Sequence, residues 1–329
     1  MKGSLKEFLH QFETLRWCCY FVALTLQNLI VKPYIKLFGR HDKRKMKYKV
    51  SLCLFFKDEA PFLKEWIDYH HVIGVDHFYL YNNESSDNFR EVLAPYIDQG
   101  LVTLIDYPGR SVQPSAAKDC WERFRAETNW IGFLDADEFV CPKYKSDIGE
   151  WLKEWDKWPS IMIKWVMFGT SGLLKHDFSR LVIEQYTSCD DKFWSLGKCF
   201  VNTRFDICYF DASIMHATTT FYRILGIKFP LLPMGQFGKF TLPPRWPKEK
   251  AENLRKATIQ INHYYTKAWA ELCKRSITPR GCGGTSRRSK ATVLEREESC
   301  VSKDYTIQRF LIRLKIAQGK ITDLPFTED

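Results

Sequence analysis

Three carboxylates stand together in Trp130-Ile-Gly-Phe-Leu-Asp135-Ala-Asp137-Glu138-Phe139, where an apolar run delivers two acids at i and i+2 with a third beside them. Ionised acids are costly to bury unless they are paired. A strand that ends this way needs a partner, and a divalent cation is the simplest one. Hard Mg²⁺ or Mn²⁺ takes one or two carboxylates and completes its shell with water and phosphate oxygens. The chemistry that suits this pattern is a cation held across a nucleotide diphosphate. Asp-x-Asp alone occurs often by chance. Its weight here comes from the strand before it and from the elements that lead to that strand.

Those elements recur regularly. Val50–Phe56 is a short apolar run followed by Lys57-Asp58-Glu59, and Pro61 opens a predicted helix through His71. His77–Tyr81 reads as the next strand, then polar Asn82–Asp87, then a helix to about Ile97. Gly100 breaks the chain and Val102–Asp106 reads as a third strand. A loop with Pro108 and Pro114 leads to a helix ending near Glu127, then to the strand that runs into Asp135. Strand starts near 50, 77, 102 and 130 match β-α units and predict an α/β fold, a mostly parallel sheet flanked by helices. In such sheets ligands bind beyond the carboxyl ends of the strands. All four of these ends are polar or acidic.

Further along, Ile161–Trp165 reads as a strand leading into the turn Phe168-Gly169-Thr170-Ser171-Gly172, and Leu181–Ile183 as another strand ending at Glu184. A Pro-rich basic loop follows Phe229, and Asn262-His263-Tyr264-Tyr265-Thr266-Lys267 leads into a helix interrupted at Arg280-Gly-Cys-Gly-Gly284. Ile307, Phe310, Leu311 and Leu314 have helical spacing, fit to cover the domain or touch a membrane. The chain thus divides into a basic membrane-association segment (1–47), a central domain (48–284) and a helical extension (285–329).

The net charge of +10 is uneven: residues 40–49 hold six Lys/Arg against Asp42. Before them, Trp17 to Val31 carries no charge. As a helix that run spans roughly 22 Å, short of the ~30 Å bilayer core. An interfacial amphipathic helix with a basic collar for anionic headgroups fits better, the alternative being a helix packed on the domain. No small-residue cleavage pattern follows it, which disfavours a signal peptide. Eleven scattered cysteines without a CxxC spacing point to a reducing compartment. The sequon Asn83-Glu-Ser85 lies in a ligand loop that a glycan would obstruct, so the expected location is the cytoplasmic face of a membrane, or the cytoplasm if the helix packs on the domain.

Taken together, these residues resemble the type A (GT-A) glycosyltransferases, most closely glycosyltransferase family 92 and its family-2-like bacterial relatives. The resemblance rests on Lys57-Asp58-Glu59, Glu65-Trp66-Ile-Asp-Tyr-His70, Gly74 to Asp87, Pro95-Tyr-Ile-Asp-Gln-Gly100, Gln113, Trp130 to Phe139, Trp165 to Gly172 and Asn262-His263-Tyr264-Tyr265. It covers about residues 49–284. This chain departs in having Asp58 where the family usually has Asn, and Ala268 where a Ser often follows the Lys.

The resemblance implies a transfer of a hexose from a nucleotide sugar, a UDP-hexose, to a glycan or lipid-linked acceptor with inversion. Asp135 and Asp137 would hold Mn²⁺ or Mg²⁺, with His216 or His263 as a further ligand. Lys57, Asp58, Glu59, Asn83, Ser85, Asp87, Gln113 and Asp135 would line the donor, although Asp and Asn at such places also cap helices and form turns. Lys198, Lys267 and Arg280 would neutralise the diphosphate, and Trp165 and Phe168 would stack on a sugar. For the proton acceptor, chain order favours Glu184, then Asp177, with Asp190 and Asp191 behind them. Competing readings are a nucleic-acid-binding protein using the basic run and an inactive GT-A scaffold. Acidic strand ends would repel phosphates without a cation, so no nucleic-acid partner is expected, and the intact Asp135/Asp137 pair speaks against a silent scaffold.

Overall fold

The computed structural model describes residues 18, 22, 25–38, 42–205, 207–209, 220–224, 227–240, 251–277 and 290–321. His216 and Arg280 lie outside them. A π-helical stretch at Gln27–Val31 continues into α1 (Lys32–Phe38). Then come β1 (Tyr48–Phe56), α2 (Ala60–Val72), β2 (His77–Asn82), α3 (Phe89–Asp98), β3 (Val102–Asp106), α4 (Gln113–Phe124), β4 (Thr128–Leu134) and β5 (Glu138–Pro142). The next elements are α5 (Ile148–Leu152), β6 (Ser160–Met167), α6 (Val182–Gln185), β7 (Ser188–Cys189), β8 (Gly197–Asn202), β9 (Ile207–Tyr209), β10 (Thr220–Ile224), β11 (Ile227–Leu231) and β12 (Met234–Gly235). The chain continues through α7 (Ala251–Lys256), β13 (Ile259–His263), α8 (Trp269–Ile277), α9 (Lys290–Ser299), β14 (Ser302–Lys303) and α10 (Leu311–Ala317).

The main sheet has nine strands in the order β3-β2-β1-β4-β8-β6-β13-β5, with β12 beside β6. Pairs among β1 to β4 are parallel, as the β-α spacing predicts, and so are β6 with β13 and with β12; β8 and β5 run antiparallel to their neighbours. The chain builds outward from β1 to β3 and returns to place β4 on the other side of β1. That reversal is a switch point, where the loops after β1 and β4 part and leave a crevice for a ligand. Here these loops are Lys57-Asp58-Glu59 and Asp135-Ala136-Asp137.

Close packing fixes this geometry. A Cβ on Gly132 in β4 would stand 2.5 Å from the Phe200 ring and 2.8 Å from Leu52, so only glycine lets these side chains cross the strand. Trp66 and Tyr69 of α2 are fully buried and donate to the carbonyls of Glu138 and Val140, which ties the helix to β5. The predicted strand at Leu181–Ile183 is instead the short helix α6. Its β-branched residues suit a strand, but the buried Glu65 carboxylate accepts from the Val182 and Ile183 N–H groups, and Glu184 accepts from the Leu181 N–H. This capping fixes a helical turn against local propensity.

The tail returns to the domain. Ile307, Phe310 and Leu314 are buried in the main core, and Arg313 donates to the Val72 carbonyl at the end of α2. At the other end of the chain, Val31 and Ile35 are buried in a second cluster and Lys32 donates to the Gly238 carbonyl. Leu26, Leu29, Ile30, Leu37 and Phe38 remain exposed. No helix among the described residues is long and apolar enough to cross a membrane.

Candidate active site

Every non-glycine residue with positive φ among the described residues sits in a loop after a strand of the main sheet. Asp58 follows β1, Glu84 follows β2, Ser111 follows β3, Ser171 follows β6 and Lys267 follows β13. Such conformations cost of order 1–3 kcal/mol each and persist where the surroundings over-determine them, often at functional sites.

The centre lies between the loops after β1 and β4 and the end of β13. Asp137 is buried, with Oδ1 3.5 Å from His263 Nε2 and Oδ2 2.6 Å from the Arg275 guanidinium. Burial alone would raise the Asp137 carboxyl, but Arg275 and His263 outweigh it and hold the group well below the usual carboxylate range. Glu138 is fully buried; one oxygen accepts from the Asp135 N–H, and Lys198 Nζ stands 3.5 Å away. Burial, with Asp135 and Asp137 adding to it, pushes the Glu138 carboxyl well up despite Lys198. Asp135 is more open: Oδ1 accepts from Gln113 and Oδ2 from Lys198, at 3.0 and 2.8 Å. Lys198 has no exposed surface, and its ammonium is kept charged by Asp135 and Glu138 against the burial that would lower it.

Asp137, Glu138 and His263 offer one ligand atom each within 4.8 Å of one another. Two of their atoms, Glu138 Oε1 and His263 Nδ1, are buried 4.0 Å apart, and neither has a hydrogen-bond partner. Buried polar atoms left in this state call for a partner, and two carboxylates with an imidazole suit Mn²⁺ or Mg²⁺. The residues present therefore fit a divalent cation. The gathered set takes the third acid, Glu138, while Asp135 is engaged by Gln113 and Lys198.

The loops after β1, β2 and β3 are cross-linked by residues that the sequence pointed to. Asp58 accepts from the Ser86 N–H and donates its own N–H to Ser85; Asp87 accepts from the Ala60 N–H and so caps α2. Asn83 donates to the Tyr107 and Gly109 carbonyls, binding the loop after β2 to the one after β3. Lys57 is exposed at the rim. Glu59 takes Arg275 at 3.0 Å and Lys267 at 3.4 Å. Trp165 lies against His263, with ring centroids 4.8 Å apart, and Phe168 against Tyr264.

Glu184 and Asp177 stand in other company. Glu184 caps α6 and pairs with Lys315 at 2.5 Å; burial raises it, but Lys315 and the Leu181 N–H leave it lowered. Asp177 accepts from the Ser179 hydroxyl and N–H in an exposed turn, and these bonds lower it. Asp190 lies nearer the centre, its N–H bonded to the Met167 carbonyl at the end of β6, where Met167 is in register with His263. Its buried carboxylate is held by Arg296 and Ser299 of α9, beside an exposed Asp191. Arg275 had no signature in the sequence. Four acids gathered with Lys198 and Lys267 need a third cation, but that need is visible only once they are gathered.

The sequence model of glycosyltransferase family 92 matches residues 48–227, more than half of the chain. The chain belongs to glycosyltransferase family 92. Family 92 relatives include a protein of Arabidopsis thaliana, 33% identical over 109 residues that make up 32% of this chain and 19% of the relative. A beta-1,4-galactosyltransferase of Caenorhabditis elegans is 33% identical over 113 residues, 30% of this chain and 27% of its own. The alignments thus span about a fifth to a quarter of the length of these curated relatives. Among solved structures, Staphylococcus aureus TarS 1–349 aligns over 47% of each chain at 12% identity with a TM-score of 0.33.

Proposed function

We propose that this chain is a cation-dependent glycosyltransferase that moves a hexose from a nucleotide sugar, a UDP-hexose, to a glycan or lipid-linked saccharide with inversion. The observation that carries the reading is the buried Asp137–Glu138–His263 group, two of whose facing atoms lack a hydrogen bond, set at the switch point between β1 and β4. The names of the galactosyltransferase relatives favour galactose as the sugar.

Asp137, Glu138 and His263 would hold Mn²⁺ or Mg²⁺. When bound, the cation supplies neutralisation of the charge that develops on the departing diphosphate. The chain's own residues do the rest. Gln113 and Lys198 orient Asp135 at the mouth of the crevice, and the cross-linked loops after β1, β2 and β3 form a rigid floor for the nucleoside. Lys198 and Lys267 place positive charge near the diphosphate oxygens. An acceptor hydroxyl attacks the anomeric carbon as the sugar–diphosphate bond breaks, and its proton passes to a carboxylate. Glu184 and Asp177 are lowered and engaged, which makes them weak acceptors. Asp191, exposed beside the clamped Asp190, is left as the candidate base.

The test is release of nucleotide from a panel of UDP-, GDP- and CMP-sugars with Mn²⁺ or with EDTA. Cation-dependent turnover of one donor, lost in Asp135→Asn/Asp137→Asn, supports the reading. Absence of any nucleotide-sugar binding with cation present overturns it.

We also propose a peripheral contact with the cytoplasmic face of a membrane. Leu26, Leu29, Ile30, Leu37 and Phe38 are exposed on a segment whose Val31 and Ile35 are anchored, and the basic run 40–49 follows. Flotation with anionic but not neutral vesicles, lost when Leu29 and Ile30 become Ser, is the expected result; equal flotation with both vesicles or with neither overturns it.

A further inference from the structure

Arg275 reaches across the crevice in a way that the proposed reaction does not by itself require. From α8 its fork bonds Asp137 of the loop after β4 (2.6 Å) and Glu59 of the loop after β1 (3.0 Å), and it also donates to the Tyr265 carbonyl. The two oxygens of Asp137 face opposite ways: Oδ1 toward His263 and Oδ2 toward the guanidinium. A divalent cation held by Asp137, Glu138 and His263 would therefore share one carboxylate with Arg275. Arginine cannot shed its charge to make room.

Formal charges show when the two cations can coexist. With Glu138 deprotonated, as a cation held by it requires, Glu59, Asp135, Asp137 and Glu138 contribute −4 and Lys198, Lys267 and Arg275 contribute +3, which leaves −1 before the cation is counted. A divalent cation alone turns this to +1 in a buried place where like charges are poorly screened. A nucleotide diphosphate entering with the cation returns the sum below zero. The Arg275 side chain is about a quarter exposed, and its guanidinium is engaged by Asp137, Glu59 and the Tyr265 carbonyl.

We propose that Arg275 is an exchangeable counter-ion: it occupies Asp137 in the cation-free protein and transfers to the diphosphate when cation and nucleotide bind together. This rests on the cation-dependent reading above and adds a rule of assembly to it. Cation alone binds weakly, nucleotide alone finds a site closed by the Asp137–Arg275–Glu59 bridge, and each strengthens the other.

The experiment titrates Mn²⁺ into the full chain, following free Mn²⁺ by electron paramagnetic resonance, with and without UDP. In the wild type, UDP is expected to raise Mn²⁺ affinity by ~5–150-fold, the usual range of coupling between sites. Arg275→Gln should bind Mn²⁺ alone about tenfold more tightly than the wild type and lose most of the UDP effect. Arg275→Lys keeps a positive charge but not the fork that spans Asp137 and Glu59, so its Mn²⁺ affinity should fall between those of the wild type and Arg275→Gln, which separates charge competition from loss of packing. Should Arg275→Gln fold poorly without metal, Mn²⁺ alone should raise its melting temperature more than that of the wild type, because binding to the folded state stabilises it. Unchanged or weaker Mn²⁺ binding in Arg275→Gln overturns the exchange while leaving the cation-dependent reading intact. A wild type that takes up no Mn²⁺ even with UDP overturns both.

Discussion

The two halves of the main sheet are held together by different means. From β1 to β4, parallel strands pair in continuous register, Ser51 with His77 through Phe56 with Asn82, and Val50 with Trp130 through Leu54 with Leu134. Loops after these strands then meet by short polar contacts such as Asp87 on the Ala60 N–H. The later half has shorter, mixed pairings, and single side chains reach far along the chain to hold its backbone. Glu65 caps α6 from α2, Glu297 takes the Thr170 N–H and hydroxyl, and Arg296 takes Asp190. The first half is fixed by many equivalent bonds, so no one of them is decisive. In the second a single residue decides a turn. The candidate site lies on the seam: Asp135 and Asp137 come from the regular half, and His263 and Arg275 from the other.

Substitutions along this seam should rank accordingly. The largest effect is expected at the buried acid: Asp137→Asn should lower sugar transfer by ~10²–10³-fold, as loss of a group that stabilises developing charge does. Asp135→Asn, at a more open and already paired position, should cost only ~10–100-fold. Equal losses in a steady-state assay would erase the distinction between them.

Glu65 tests the dependence on single residues. Its carboxyl is pushed up to about 7 by burial, against the Val182 and Ile183 N–H bonds that favour its charge. The folded protein keeps this proton at pH values where the unfolded chain, with an ordinary value of 4.5, has lost it. Its contribution is therefore fully present below pH 4.5 and is lost as pH rises through about 7. Relative to Glu65→Gln, which does not titrate, the wild type should lose on the order of 3 kcal/mol across that window. Urea unfolding of both proteins at several pH values measures this; a constant difference would contradict it.

Glu297→Ala should cost about 2 kcal/mol, since it leaves the Thr170 N–H and hydroxyl without their acceptor. Amide exchange should quicken in residues 168–172 and not in β1 to β4. The smallest effect is expected in the regular half, where Asp87→Ala removes one cap of α2 at a cost of about 1 kcal/mol by chemical denaturation. A larger loss there than at Glu297 would reverse the comparison.

The legibility of the chain follows the same division. Strands β1 to β4 were readable because each is an apolar run of one strand's length, with helix starts such as Pro61 and breakers such as Gly100 between them. The acidic ends were readable because burying charge is costly and a strand that ends in it stands out. At α6 the apolar run Leu181-Val182-Ile183 looks like a strand, and what makes it a helix is a carboxylate 117 positions earlier in the chain. Arg275 was equally hidden, because a lone basic residue on a helix looks like any solvated one. Glu59 was a polar residue at a strand end in the sequence, and only the fold set it against Lys267 and Arg275.

By itself, then, the sequence determined the α/β plan, the place of the crevice and the acids at its rim, because hydrophobic period and the cost of burying charge act locally along the chain. Only the tertiary structure decided which of those acids face His263, which are neutralised by lysine or arginine, and which carboxylates cap helices. Those outcomes depend on electrostatic partners brought together from residues 59, 65, 137, 198, 263 and 275, and no local pattern carries the distance between them.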